Sequence, residues 1–119
     1  MNNINVSNSI IGTLNTGSIG VVDQSISALV QTGDAELARA VKALSEAILK
    51  STDLSRNQKN ELMESLSVIS AEAAAPKERR RSAVARTLLE SAVKVTGLAN
   101  DITDICQKWW PVLAAAFAV

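Results

Sequence analysis

Two pairs of carboxylates are the residues of this sequence whose spacing is best suited to chemistry. Glu61/Glu64 and Asp101/Asp104 each lie one helical turn apart, which brings both side chains to one face. Such a pair could serve acid–base work or hold a divalent cation. Nothing beside them completes either task. The chain has no histidine and one cysteine, Cys106, so neither a Ser–His nor a Cys–His nucleophile pair can form. Zinc would have to be held by one thiolate and scattered carboxylates. Gly12, Gly17 and Gly20 are not followed by the Lys-Ser or Lys-Thr of a phosphate-cradling loop. The expectation is a chain that is not an enzyme, with no catalytic residue, no metal and no cofactor, whose acidic pairs are solvated helix surface.

The densest charge feature is the basic run Lys77-Glu78-Arg79-Arg80-Arg81, followed by Arg86. It could contact phosphate, nucleic acid or anionic lipid. Three consecutive arginines span most of a helical turn and cannot all face one ligand. The favoured reading is therefore an exposed helix start, partly paired with Glu72, Glu78 or the acidic first half. The C-terminal Trp109-Trp110-Pro111-Val112-Leu113-Ala114-Ala115-Ala116-Phe117-Ala118-Val119 segment is uncharged. Trp109, Trp110, Leu113 and Phe117 could meet a membrane interface, with Lys108 at the boundary. The run has eleven residues, whereas a spanning helix needs about 20, so a buried terminal helix is the favoured reading. Cys106 falls on an apolar stripe and reads as a small packed side chain.

The elements that must position these residues are mostly helices. Val22, Ile26, Leu29 and Val30 fall at helical spacing, with Gly33 able to end the turn. Asp34 is a fair N-cap for a second helix with the stripe Leu37, Val41, Leu44, Ile48, which Ser51-Thr52-Asp53 stops. Ser55 with Gln58 predicts a capping box for a third, facing inward with Leu62, Leu66, Ile69 and Ala73 and closed by Pro76. Pro76 is also placed to open the next helix. From there a stripe runs Leu88, Ala92, Val95, Ala99, Ile102, Cys106, Trp109, Leu113, predicting one long helix through Gly97 or two nearly collinear ones. Pro111 should kink it or begin a separate C-terminal turn.

Residues 3–22 differ from all that follows. They carry no charge, and Asn, Ser, Thr and Gly alternate with β-branched residues. Asn15-Thr16-Gly17 reads as a turn, predicting a β-hairpin with strands near 4–14 and 18–22. An offset of eight aligns Val6 with Leu14 and Val22, and Ile11 with Ile19. A neutral strand edge pairs with other chains unless charge or proline blocks it, and an isolated hairpin is marginal in water. Ile4, Val6, Ile10, Ile11, Leu14, Ile19 and Val21 are therefore the candidate self-association surface.

The chain has 119 residues, 47% of them apolar but only 3% aromatic. That suits one small core built from Leu, Ile, Val and Ala. Net charge is zero; residues 1–75 carry five basic against eight acidic side chains, and residues 76–119 carry seven against four. Neither half is basic enough to demand nucleic acid. One cysteine and the uncharged start Met1-Asn2-Asn3-Ile4-Asn5 give no sign of an oxidising compartment or a secretory signal. A cytoplasmic location is expected.

The run from Asn5 to Gly17, together with a helical region containing Ala73-Ala74-Ala75-Pro76-Lys77, resembles small bacterial accessory modules that accompany immune-type or stress-response proteins. The resemblance implies a bacterial cytoplasmic accessory protein, with anti-phage defence as its setting, and brings no catalytic residues. The combined expectation is a mainly α fold. An N-terminal β-ribbon over 1–22 precedes a helical bundle of about four antiparallel helices over 23–119. The function expected is a homo-oligomeric interaction or scaffolding module that binds itself and another protein. The alternatives are a membrane-active effector using the C-terminal segment and a nucleic-acid or phosphate binder using the Arg79–Arg81 run.

Overall fold

The computed structural model describes residues 16–117. Those residues form five α-helices: α1 (Thr16–Gln31), α2 (Ala35–Lys50), α3 (Arg56–Ala74), α4 (Ser82–Thr96) and α5 (Thr103–Ala116), with a 3₁₀ turn over Lys77–Arg79 between α3 and α4. Short connections make sequence neighbours antiparallel. α1 packs mainly on α3 and α2, α4 on α3, and α5 on α2 with a lighter contact to α4. The connections at 51–55 and 97–102 therefore meet at one end of the bundle. Those at 32–34 and 75–81, with the end of α5, meet at the other.

Each helix follows from its apolar spacing. Val41, Leu44 and Ile48 of α2 and Leu66 and Ile69 of α3 are fully buried, each contributing about 1.5–3 kcal/mol by leaving water. The breaks are equally local. α1 ends in a Schellman motif: the Asp34 N–H bonds the Leu29 carbonyl at 2.8 Å and the Gly33 N–H bonds the Val30 carbonyl at 3.2 Å. That geometry needs the positive φ of Gly33, +89°. The predicted capping box of α3 forms, with the Gln58 N–H on Ser55 Oγ at 3.1 Å and the Ser55 N–H on Gln58 Oε1 at 2.8 Å. Asp34 precedes α2 as expected, but its carboxylate makes no capping bond and instead accepts from the Thr32 hydroxyl at 3.4 Å.

The mainly α class holds, but the N-terminal β-ribbon does not. There is no strand among the described residues, and the expected return strand 18–22 lies inside α1, which also absorbs Thr16 and Gly17 of the expected turn. Burial decides the outcome. Ser18, Val22, Ser25 and Leu29 recur at helical spacing and are all buried, with Ile19 and Ile26 packed against the same core. Burial of that face outweighs the strand preference of β-branched residues. α1 thus runs through the boundary expected at 22. The other expected strand, with Ile4, Val6, Ile10, Ile11 and Leu14, lies outside the described residues.

Two more expectations change. Pro76 opens the short 3₁₀ turn, and α4 begins only at Ser82. The stripe from Leu88 to Leu113 is not one helix: α4 stops at Thr96, Gly97 caps it, and α5 starts at Thr103. Ala99 and Ile102 stay on the buried stripe as connection residues, 1% and 4% exposed. Pro111 sits inside α5.

Candidate functional site

Several of the side chains with chemical potential are committed to holding helices together. The Arg80 guanidinium, half-buried, donates to the carbonyls of Ala73 at 2.7 Å, Ala75 at 3.1 Å and Ala116 at 3.1 Å. It thereby closes the C-terminal ends of α3 and α5, where carbonyls lack helical partners. Arg81 pairs with Glu72: its Nη2 and Nε lie 2.8 and 2.9 Å from Oε2, and its backbone N–H donates to Oε1 at 2.7 Å. These bonds from Arg81 hold the buried Glu72 carboxyl below its ordinary range, against the opposing pull of burial. A carboxylate beside the first residues of α4 also favours the helix dipole. The basic run is thus split. Arg80, half-buried, and Arg81, largely exposed, carry these bonds, while Lys77, Arg79 and Arg86 are exposed.

The acidic pairs divide in the same way. Glu61 and Glu64 are exposed beside the α3–α4 seam. Asp101 is the centre of a clasp between two connections. Its Oδ1 accepts from the Ser51 hydroxyl at 2.8 Å, its Oδ2 accepts from the Thr52 N–H at 2.7 Å, and its own N–H donates to Asp53 Oδ2 at 2.9 Å. Desolvation raises the Asp101 carboxyl, but the bonds from Thr52 and Ser51 together outweigh it and the net displacement is downward. Asp104 is exposed and does not join it. No group of three or more His, Cys, Asp or Glu side chains among the described residues could hold a metal ion.

The C-terminal segment supplies core. Trp110, Leu113 and Phe117 are 3%, 0% and 1% exposed, and Trp109 is half-buried with Lys108 Nζ 5.1 Å from its ring centre. Among the described residues, no helix is long and apolar enough to cross a membrane. Of the two candidate self-association residues that are described, Ile19 is packed against the core and Val21 is 39% exposed.

What the sequence did not point to is a groove of about 440 Å³ between α4 and α5. Leu89, Val93, Thr96 and Gly97 line it from α4 and the turn after it; Thr103, Cys106, Gln107, Trp110, Pro111 and Ala114 line it from α5. No lining residue carries a charge. Its floor is fixed by a buried bond from Trp110 Nε1 to Thr96 Oγ1 at 2.9 Å, and that hydroxyl donates onward to the Ala92 carbonyl at 2.9 Å. Burial pushes the Cys106 thiol up, more than hydrogen bonding with Thr96 and Trp110 lowers it. Pro111 cannot supply the N–H that the Gln107 carbonyl would otherwise accept one turn back. On the α4 side the groove wall includes Val93, 42% exposed, and the connection just beyond Gly97 presents Leu98, 79% exposed. The only sequence signal for this site was the pairing of Gly97 with Asn100-Asp101, which marks the break that lets α5 fold back along α4.

No family model, curated protein or solved structure matches the chain.

Proposed function

We propose that this chain is a non-catalytic helical interaction module that associates with copies of itself through the α4–α5 groove. The observation that carries the reading is the groove's chemistry: an uncharged, largely apolar trough with an aromatic floor, bordered by the exposed Val93 and Leu98. Pockets of about this volume with an apolar lining bind apolar groups, and the exposed Val93 and Leu98 extend the apolar surface beyond the groove itself. The side chains capable of general chemistry support the same reading. Arg80, Arg81, Glu72 and Asp101 hold the fold, which removes the densest part of the basic run and one acidic pair from the candidates for catalysis or phosphate binding.

Light scattering and sedimentation of the full chain test this, with Val93→Lys and Leu98→Lys alongside. Both positions are exposed, so helical circular dichroism and thermal stability should change little. The wild-type chain should be a multimer at micromolar concentration and both variants should be smaller species. A wild-type monomer, or variants with unaltered mass, would sink the proposal.

A further inference from the structure

We infer that the groove is filled by the charge-free aliphatic segment Ile4–Leu14 of a second copy of the chain, so that assembly is head-to-tail. This rests on the self-association reading of the groove and names its occupant. Three observations support it. The first is chemical match: the groove lining has no charge, and neither has any residue from Met1 to Val22. Burying a charged partner there would leave an unpaired ion against apolar walls, at severe cost. Ile4, Val6, Ile10, Ile11 and Leu14 bring only aliphatic surface, with neutral Asn and Ser between them.

The second observation is length. Along α5 the groove runs from Thr103 to Ala114, about 16 Å at the rise of a helix. Eleven residues, 4–14, cover that span in either extended or helical form. The third is where α1 starts. Thr16 lies at the bundle end that holds the 97–102 connection, but α1 packs mainly on α2 and α3, which do not line the groove. A second copy can present all five aliphatics to the groove whatever the position of its own α1. Contacts of this kind are heterologous, each copy offering one segment and one groove.

Complementation of two full-length variants tests this. In one, Ile10→Lys and Ile11→Lys charge the segment and leave the groove intact. In the other, Val93→Lys charges the groove wall and leaves the segment intact. Circular dichroism confirms that both keep the helical fold. Each variant alone should sediment as a single chain, and an equimolar mixture should form a one-to-one pair, because one competent segment meets one competent groove. Amide resonances of Val93, Gly97 and Gln107, observed in an isotopically labelled segment variant, should shift when the unlabelled groove variant is added. If the segment variant alone has the mass of the wild type, the segment is not the occupant; the groove reading then survives only if Val93→Lys still reduces the mass. If both variants are single chains and the mixture does not pair, the inference is overturned. Groove resonances that differ between the wild type and the segment variant, with both monomeric, would place the segment in its own groove and overturn the exchange between copies.

Discussion

Replacing Arg80 separates the structural part of the basic run from the rest. Arg80→Gln removes three charge-assisted hydrogen bonds, to the carbonyls of Ala73, Ala75 and Ala116. A hydrogen bond to a charged group contributes about 1.5–3 kcal/mol. The sum overstates the loss here, because Arg80 is only half-buried and water can reach carbonyls at helix ends. A net cost of about 2–3 kcal/mol follows, out of roughly 5–15 kcal/mol for a domain of this size. At about 4–8 °C per kcal/mol for a small domain, the melting temperature should fall by roughly 10–20 °C. Urea unfolding should show a lower midpoint at unchanged m. Arg79→Gln, at an exposed position with no such bonds, should shift stability by no more than about 0.5 kcal/mol. Arg80→Lys should recover only part of the loss, since one ammonium cannot fan out to three carbonyls as a planar guanidinium does. Equal urea midpoints for Arg79→Gln and Arg80→Gln would refute the argument.

Thr96→Val keeps the shape of the residue but leaves the indole N–H of a 3% exposed Trp110 without an acceptor. It should cost about 1–3 kcal/mol, and an unchanged urea midpoint would show that the bond carries nothing. Gly33→Ala places a side chain at φ +89° and should cost about 1–2 kcal/mol, read by thermal melting; a neutral result would mean that the Schellman turn relaxes freely. Glu72 and Asp101 are both held below the ordinary carboxylate range by their hydrogen bonds. A carboxyl lowered by folding stabilises the fold above its unfolded pKa and loses that contribution as pH falls through the folded value. Urea midpoints should therefore hold from neutrality to about pH 5 and fall below about pH 4.5, with a shallower fall in Glu72→Gln. A midpoint at pH 3 equal to that at pH 7 would contradict the linkage.

The parts of the fold legible in the sequence are those encoded within a few residues. The stripe Leu37-Val41-Leu44-Ile48, the capping box Ser55–Gln58 and the turn glycine Gly33 act through neighbours three to five positions away, and all three appear where the spacing puts them. The misreadings arise where contacts distant in sequence decide. Ile19 lies three residues before Val22, so the helical stripe already reached into the supposed strand; alternation of β-branched residues hid it. The break between α4 and α5 was masked because Ala99 and Ile102 remain buried in the connection, keeping the stripe in phase through a segment that is not helix. Pro76 fails to open α4 because the residues after it are held by Arg80 on carbonyls as far away as Ala116 and by Arg81 on Glu72. Beyond the break marked by Gly97 and Asn100-Asp101, the groove was not legible, since it exists only once α5 has folded back along α4.

Cys106, the single thiol, lies in that groove's lining at 2% exposure, which makes it a clock for local opening. At that exposure the thiol is shielded from a reagent while α5 stays packed along α4. Modification must wait until α5 lifts from α4, so at low reagent its rate follows the equilibrium population of the opened state. At saturating reagent the rate levels off at the opening rate itself. The protein thus carries, in its own sequence, a native reporter of how often this pair of helices separates, and an occupant that seals the groove would slow that reporter without touching it.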